Sequence, residues 1–185
     1  EAQKPLTDLI IGEVDRIARL LDQMQDLGGT QTRDSTAENI HLLIEKAVRS
    51  IRAANADTPS ISINYDPSLP DVLINADAMV QILINLMQNA IDALGDQENA
   101  EISIATRYVM SGALHEAPEE SRDGITWKLP VEVTVADNGP GVPARIASEL
   151  FSPFVTTKRE GQGLGLAIVR KLTLQMRSRI LHTRD

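Results

Sequence analysis

Cysteine is absent from the 185 residues, and aromatic side chains make up only 3% of them. Without thiols there is no disulfide framework, no thiolate metal site and no cysteine nucleophile. That suits a reducing compartment, so a cytoplasmic location is expected. The shortage of Phe, Tyr and Trp means that a core here must be built from Leu, Ile, Val, Ala and Met. No apolar run approaches the ~18 residues that a membrane span needs, and no signal-peptide pattern opens the chain. What is present is 42% hydrophobic and 24% charged, which excludes wholesale disorder. The length suits one domain, or one domain plus an appended helix. Because the first residue is Glu1 and not Met, a piece of a longer protein is expected.

The formal charge is −8, which argues against a nucleic-acid partner. It is unevenly spread. Residues 1–143 hold 10 basic and 23 acidic side chains, and residues 144–185 hold 8 basic and 3 acidic. A basic terminal region can serve a small anion such as a nucleotide triphosphate, or simply clothe exposed helices.

Periodicity divides the chain. From Leu6 to Leu27, Ile10, Val14, Ile17, Leu21 and Met24 alternate four- and three-residue steps, the seam of a coiled coil or helical bundle. Gly28-Gly29 ends that helix, and Thr30 to Thr36 is a polar connector. A mixed α and β pattern follows. Asn39 to Arg52 reads as a short strand running into a helix with Leu42, Leu43, Ala47, Val48 and Ile51 on its apolar face. Ser60 to Tyr65 alternates as a strand, and Asp77 to Leu94 is the strongest helix, closed by Gly95. Glu101 to Val109 is a strand with Ile102 and Ile104 inward. Ser111 to Gly124 is a polar excursion, and Ile125 to Asp137 a long strand. Leu164 to Met176 is a helix, and Arg179 to Thr183 a last strand.

Three motifs bear on chemistry. The helix from Asp77 carries Asn85 and Asn89 four residues apart, so both amides point the same way. Asn costs about 0.5 kcal/mol against Ala inside a helix. A side-chain amide offers oxygen to a hard cation and N–H to phosphate, or it simply belongs to a solvated face. The second motif is Asp137-Asn138-Gly139-Pro140-Gly141 at the end of the long strand. Its carboxylate can accept from an exocyclic base amine, and its glycines permit positive φ and close approach to a ligand; a plain tight turn has the same composition. The third is Gly161-Gln162-Gly163-Leu164-Gly165-Leu166 running into a helix. Unpaired N–H groups at such a helix start are suited to phosphate. It is neither a Walker loop nor a dinucleotide fingerprint.

In this order and in these contexts the three together resemble the GHKL ATP-binding superfamily. The stretch Leu150-Phe151-Ser152-Pro153-Phe154-Val155-Thr156-Thr157-Lys158 is similar to the F box and mobile lid of sensor histidine kinases. Tyr65 to Pro70, Gln88 to Ala93 and the Phe-Val-Thr-Thr-Lys run are similar to the nitrogen-regulation class of those kinases. The resemblance implies a two-layer α/β sandwich of the GHKL type, with a mixed sheet, three main helices and one preceding bundle helix. It implies three parts: residues 1–28 as the second helix of a dimerisation and phosphoacceptor bundle, 29–36 as linker, and 37–185 as an ATP-binding domain shortened at its end. Asp137 would take the adenine amine, with Gly139 and Gly141 shaping its pocket. Asn89 would ligate Mg²⁺ and Asn85 would face the phosphates. Thr157 and Lys158 would line the lid side, Phe151 and Phe154 would anchor the lid, and Gly161, Gly163, Leu164 and Gly165 would bring the helix start to the triphosphate.

The resemblance also implies partners: ATP, a response regulator and a second copy of the full protein. Its phosphoacceptor histidine is missing from this chain, so no catalytic histidine is expected here. His41 is followed by Leu42 and reads as structural. In His115-Glu116-Ala117-Pro118 the proline comes too early, and His182 has no motif around it. The acceptor helix is therefore expected upstream of Glu1. Asp92 stands where many relatives carry a basic residue, and Arg177-Ser178 replaces a glycine turn. Two other readings stay open: a non-catalytic dimerisation or regulatory module, and a GHKL ATPase. The second is disfavoured because Asn85 stands where the ATPases carry Glu, and an amide cannot act as the base that activates water.

Overall fold

The computed structural model describes residues 35–55, 57–109, 130–158 and 162–183. The expected first helix, most of the connector, the polar excursion with His115, the start of the long strand, Arg159 and Gly161 lie outside the described residues.

Strand β1 (Thr36–Glu38) leads into helix α1 (Ile40–Ala54). Asn39 starts the helix, its side-chain oxygen accepting from the N–H groups of His41 and Leu42, which are orphaned at any helix start. The buried stripe is Ile40, Leu43, Ile44, Ala47, Val48 and Ile51. Leu42, expected on the apolar face, is 61% exposed. At 100° per residue the stripe that contains Leu43 and Ala47 takes in Ile40 and Ile44 and leaves Leu42 outside.

Strand β2 (Ser60–Asn64) is followed by β3 (Val72–Ile74), helix α2 (Ala76–Leu94), β4 (Glu101–Tyr108), β5 (Val131–Asp137), the short α3 (Ala144–Ala147) and α4 (Gly165–Gln175). Asn75 caps α2 by accepting from the Ala78 N–H at 2.8 Å. Gly95 ends it at φ +51°, a conformation open to glycine. The strands make two sheets. β1 pairs antiparallel with β3, and a mixed sheet has the order β2-β4-β5, with β2 parallel and β5 antiparallel to β4. β3 was not foreseen, since three residues hemmed in by turns carry no readable alternation. Helices α1, α2 and α4 are the three main helices that the motif order implies, and the core lies between helices and sheet. Met87 and Ile44 at its centre are fully buried, as is Ile102 on β4.

The expected last strand is not there: residues 179–183 form none. Helix α4 closes instead through Arg177 at φ +53°. The Ser178 N–H returns to the Thr173 carbonyl at 2.9 Å. This is a helix-ending turn with arginine in the left-handed place that glycine usually takes.

The far end of the sheet is tied by one carboxylate. β2 stops pairing with β4 at Asn64, and Asp66 takes over. Its side chain accepts from the Tyr108 N–H at 3.0 Å and from the N–H and hydroxyl of Ser68 at 2.9 and 2.6 Å. Beside it the His41 ring stacks on Tyr65 at 4.2 Å and meets Thr106 Oγ1 at 3.1 Å, a packing role. The Ser68 hydroxyl, then the Ser68 and Tyr108 N–H groups, hold the Asp66 carboxyl below the ordinary carboxylate range. In the unfolded chain an Asp titrates near about 3.9. Asp66 therefore stabilises the fold above that pH, and the contribution fades as pH falls through its lower folded value. Thermal midpoints of the native chain and Asp66→Ala should differ at pH 7 and draw together on acidification below about pH 4. A gap independent of pH would show that the charged hydrogen bonds do not matter.

Candidate functional site

Helix α2 presents a polar stripe on the side away from the sheet: Asn85, Gln88, Asn89 and Asp92. Asn85 steadies itself on its own helix, its Nδ2 donating to the Gln81 carbonyl at 3.0 Å. Its oxygen faces the start of α4. A methyl group on Gly165 would lie 3.4 Å from Asn85 Oδ1 and 3.7 Å from Asn89 Nδ2. A side chain at position 165 would therefore crowd both amides; glycine leaves that space open. Helix α4 begins with no side-chain cap among the described residues, and the first N–H groups of a helix suit an external acceptor. Asn89 Nδ2 is buried and has no hydrogen-bond partner among the described residues, and a buried donor left so is costly unless a ligand satisfies it.

At the other end of α2 the turn after β5 packs on the helix. A methyl on Gly139 would sit 2.7 Å from Asp137 Oδ1 and 3.6 Å from Leu94 Cδ2. Asp137 itself is exposed and accepts from the Gly139 N–H at 3.0 Å. One oxygen thus shapes the turn while the carboxylate stays open to solvent. Gly141 follows at φ +71°. The turn is held by Asn138, a residue to which the motif assigns no role. Its Oδ1 accepts from the Glu101 N–H at 2.9 Å, its Nδ2 donates to the Asn99 carbonyl at 2.8 Å, and its own N–H donates to the Glu101 carbonyl at 3.2 Å. Nothing in the sequence marks those contacts, because the partners lie almost forty residues away. From Ala93 to Asn85 the helix advances about 12 Å, so the carboxylate and the amide pair lie toward opposite ends of α2.

The third wall is the segment before α4. The Phe154 N–H donates to the Gly163 carbonyl at 2.9 Å, a staple that ties the backbone before α4 to residue 154. Gly163 has φ +66°, and a Cβ there would come within 2.5 Å of the Phe154 carbonyl carbon. Phe154 also has φ +66° and is 71% exposed. It supplies backbone to the staple, not a ring to the core. Phe151 does pack, lining with Pro153, Ala167, Arg170 and Leu174 a shallow groove of about 370 Å³ against α4. The Leu164 side chain is buried, so only its backbone can face a ligand. Thr157 is exposed. Lys158 reaches across to α2, its Nζ 3.2 Å from Asn89 Oδ1 and 2.7 Å from Asp92 Oδ2.

An exposed carboxylate at one end of α2 and, at the other, an amide pair beside the start of α4 with Lys158 against it are the polar groups that this face of the molecule offers a ligand. The sequence comparison agrees with the geometry. Residues 74–184 match the model of the histidine kinase-, DNA gyrase B- and HSP90-like ATPases. The chain belongs to that family. It is 41% identical over 172 residues to the sensory histidine kinase/phosphatase NtrB of Rhizobium meliloti, covering 93% of this chain and 44% of that protein. It is likewise 41% identical to the NtrB of Rhizobium leguminosarum bv. phaseoli, with 91% and 43% covered. The chain thus spans less than half the length of these curated relatives. Among solved structures it resembles the catalytic domain of histidine kinase ThkA at TM-score 0.57 and 29% identity, covering 78% of this chain and 82% of that one. ThkA in complex with response regulator protein TrrA superposes at TM-score 0.65 with 25% identity, over 92% of this chain and 43% of that one. The chain has the α/β fold of histidine kinase catalytic domains. No described helix is long and apolar enough to cross a membrane.

Proposed function

We propose that this chain is the ATP-binding part of a cytoplasmic sensor histidine kinase of the nitrogen-regulation type. It holds Mg²⁺-ATP and presents the γ-phosphate to a histidine on a helix outside these residues, for relay to a response regulator. Residues 1–28 are read as the second bundle helix, 29–36 as the linker, and the full protein as a homodimer. The observation that carries the reading is the buried, unpartnered Asn89 Nδ2 beside Asn85 and Gly165, a donor arrangement that phosphate oxygens would complete.

The residues also fit the metal. No three His, Cys, Asp or Glu side chains gather as a cage among the described residues. A divalent ion here would rest on the Asn89 amide oxygen and on the phosphates it accompanies, the arrangement Mg²⁺ favours. When bound it neutralises phosphate charge and orients the transferred group. The chain's own part is positioning. Asp137 accepts from the adenine amine, and Gly139 and Gly141 let the turn approach the base. Asn85 and the N–H groups at Gly165 face the phosphates, while Lys158, Thr157 and the Gly163 backbone close the lid side. Catalysis of this kind is mostly alignment and charge neutralisation.

Asn85 separates kinase from ATPase, because its amide cannot take a proton from water. The chain alone should hydrolyse ATP no faster than a slow background, while labelled phosphate should pass to a separately supplied acceptor helix bearing the histidine. Rapid hydrolysis by the chain alone, abolished by Asp137→Ala, would favour the ATPase reading instead.

A further inference from the structure

We propose that Asp92 is a positioning residue that acts through Lys158: it parks the ammonium on the Asn89 amide oxygen until metal and nucleotide displace it. The inference rests on the Mg²⁺-ATP reading of the groove. Three contacts carry it. Lys158 Nζ lies 2.7 Å from Asp92 Oδ2 and 3.2 Å from Asn89 Oδ1, and Gln88 Nε2 donates to the remaining oxygen, Asp92 Oδ1, at 2.8 Å. Gln88 and Lys158 thus hold the carboxylate in one orientation, and two of the three ammonium protons are committed.

The atom that Lys158 covers is the one a hard cation would take. A divalent ion about 2.1 Å from Asn89 Oδ1 would lie within a few ångströms of the ammonium, and like charges at that range repel strongly. Lys158 must leave for the ion to enter, and the triphosphate that arrives with the ion is the natural acceptor for its charge. Asp92 and the phosphates therefore compete for one ammonium. The Lys158 and Asp92 side chains remain 36% and 38% exposed, so solvent weakens the pair and the effect is modest.

Calorimetric titration with Mg²⁺-ATP of the native chain, Asp92→Asn, Lys158→Met and the double variant tests this. Asp92→Asn should bind two- to fivefold more tightly, about what a partly exposed ion pair is worth, and this gain should vanish in the Lys158→Met background. An equal gain in both backgrounds would mean a long-range charge effect and overturn the proposal. No gain would also overturn it. Weaker binding confined to the Mg²⁺ form would make Asp92 a metal ligand, again against the proposal. The Asn89 side-chain NH₂ resonances of the nucleotide-free chain provide a separate reading, and both single variants should shift them. Unmoved resonances would remove the latch while leaving ATP binding intact. Shifted resonances in a chain that binds no ATP would overturn the exchange together with the nucleotide reading.

Discussion

Replacing Asp137 with alanine is expected to weaken ATP binding roughly ten- to hundredfold, the range that a hydrogen bond to a charged group supports. The carboxylate stands exposed at the end of β5, with one oxygen engaged by the Gly139 N–H and the groove before it. Because Asn138, not Asp137, clamps the turn to β4, the fold should survive the substitution with a thermal midpoint only slightly lower. Asparagine at the same position keeps an acceptor oxygen and should lose less affinity than alanine. The effect should be specific to adenine: weak binding of GTP, whose base has a carbonyl where adenine has its amine, should change little. Equilibrium titration of ATP and GTP against native and variant chains checks all three expectations. Affinity for ATP unchanged in Asp137→Ala would remove Asp137 from the site.

The second large effect is expected at Gly163. Alanine there has to occupy φ +66°, which costs an L residue about 1–2 kcal/mol. Its Cβ also meets the backbone of Phe154 and Val155 at 2.5–2.8 Å. Backbone cannot swing aside as a flexible side chain can, so the Phe154 N–H to Gly163 carbonyl bond should open. With that staple gone the loop bearing Lys158 loses its seat, and the start of α4 shifts beneath Asn85 and Asn89. We expect nucleotide affinity to fall at least tenfold, with a thermal midpoint lower by several degrees. The core around Met87 and Ile102 does not touch this corner, so hydrogen exchange there should stay slow in Gly163→Ala. Gly165→Ala is the milder neighbour, with its closest approach at 3.4 Å to a side-chain oxygen. It should perturb binding without opening the staple. A Gly163→Ala chain with native affinity would show that the staple does not seat the groove.

Much of this is legible in the sequence. The long amphipathic helix is visible because Ile82, Leu83, Ala90 and Leu94 repeat at helical spacing while Asn85 and Asn89 interrupt the opposite face for no structural benefit. Asp137 is legible because a turn motif closes an apolar strand. What escaped was non-local. Met87 is fully buried at the centre of a core completed by residues of α1 and β4, which helical spacing alone does not reveal. β3 is defined by its pairing with β1, and neither strand has enough residues to show a period. The terminal strand expected at Arg179 yields to a helix-ending turn, since a chain of that length is decided by which edge is available to pair and not by alternation. Asp92 was visible as an acidic residue in an unusual place. Its partner could be named only once Lys158, 66 residues away, was seen at 2.7 Å.

The central claim is that α2, the Asp137 turn and the start of α4 enclose a single Mg²⁺-dependent ATP site. Its most direct test is calorimetric titration of the chain with ATP, with and without Mg²⁺, repeated on Asn89→Ala. The account predicts one site per chain, tighter with Mg²⁺ than without, and a metal dependence that disappears in the variant. No heat of binding in the presence of Mg²⁺, or a metal dependence that survives the loss of Asn89, would contradict it.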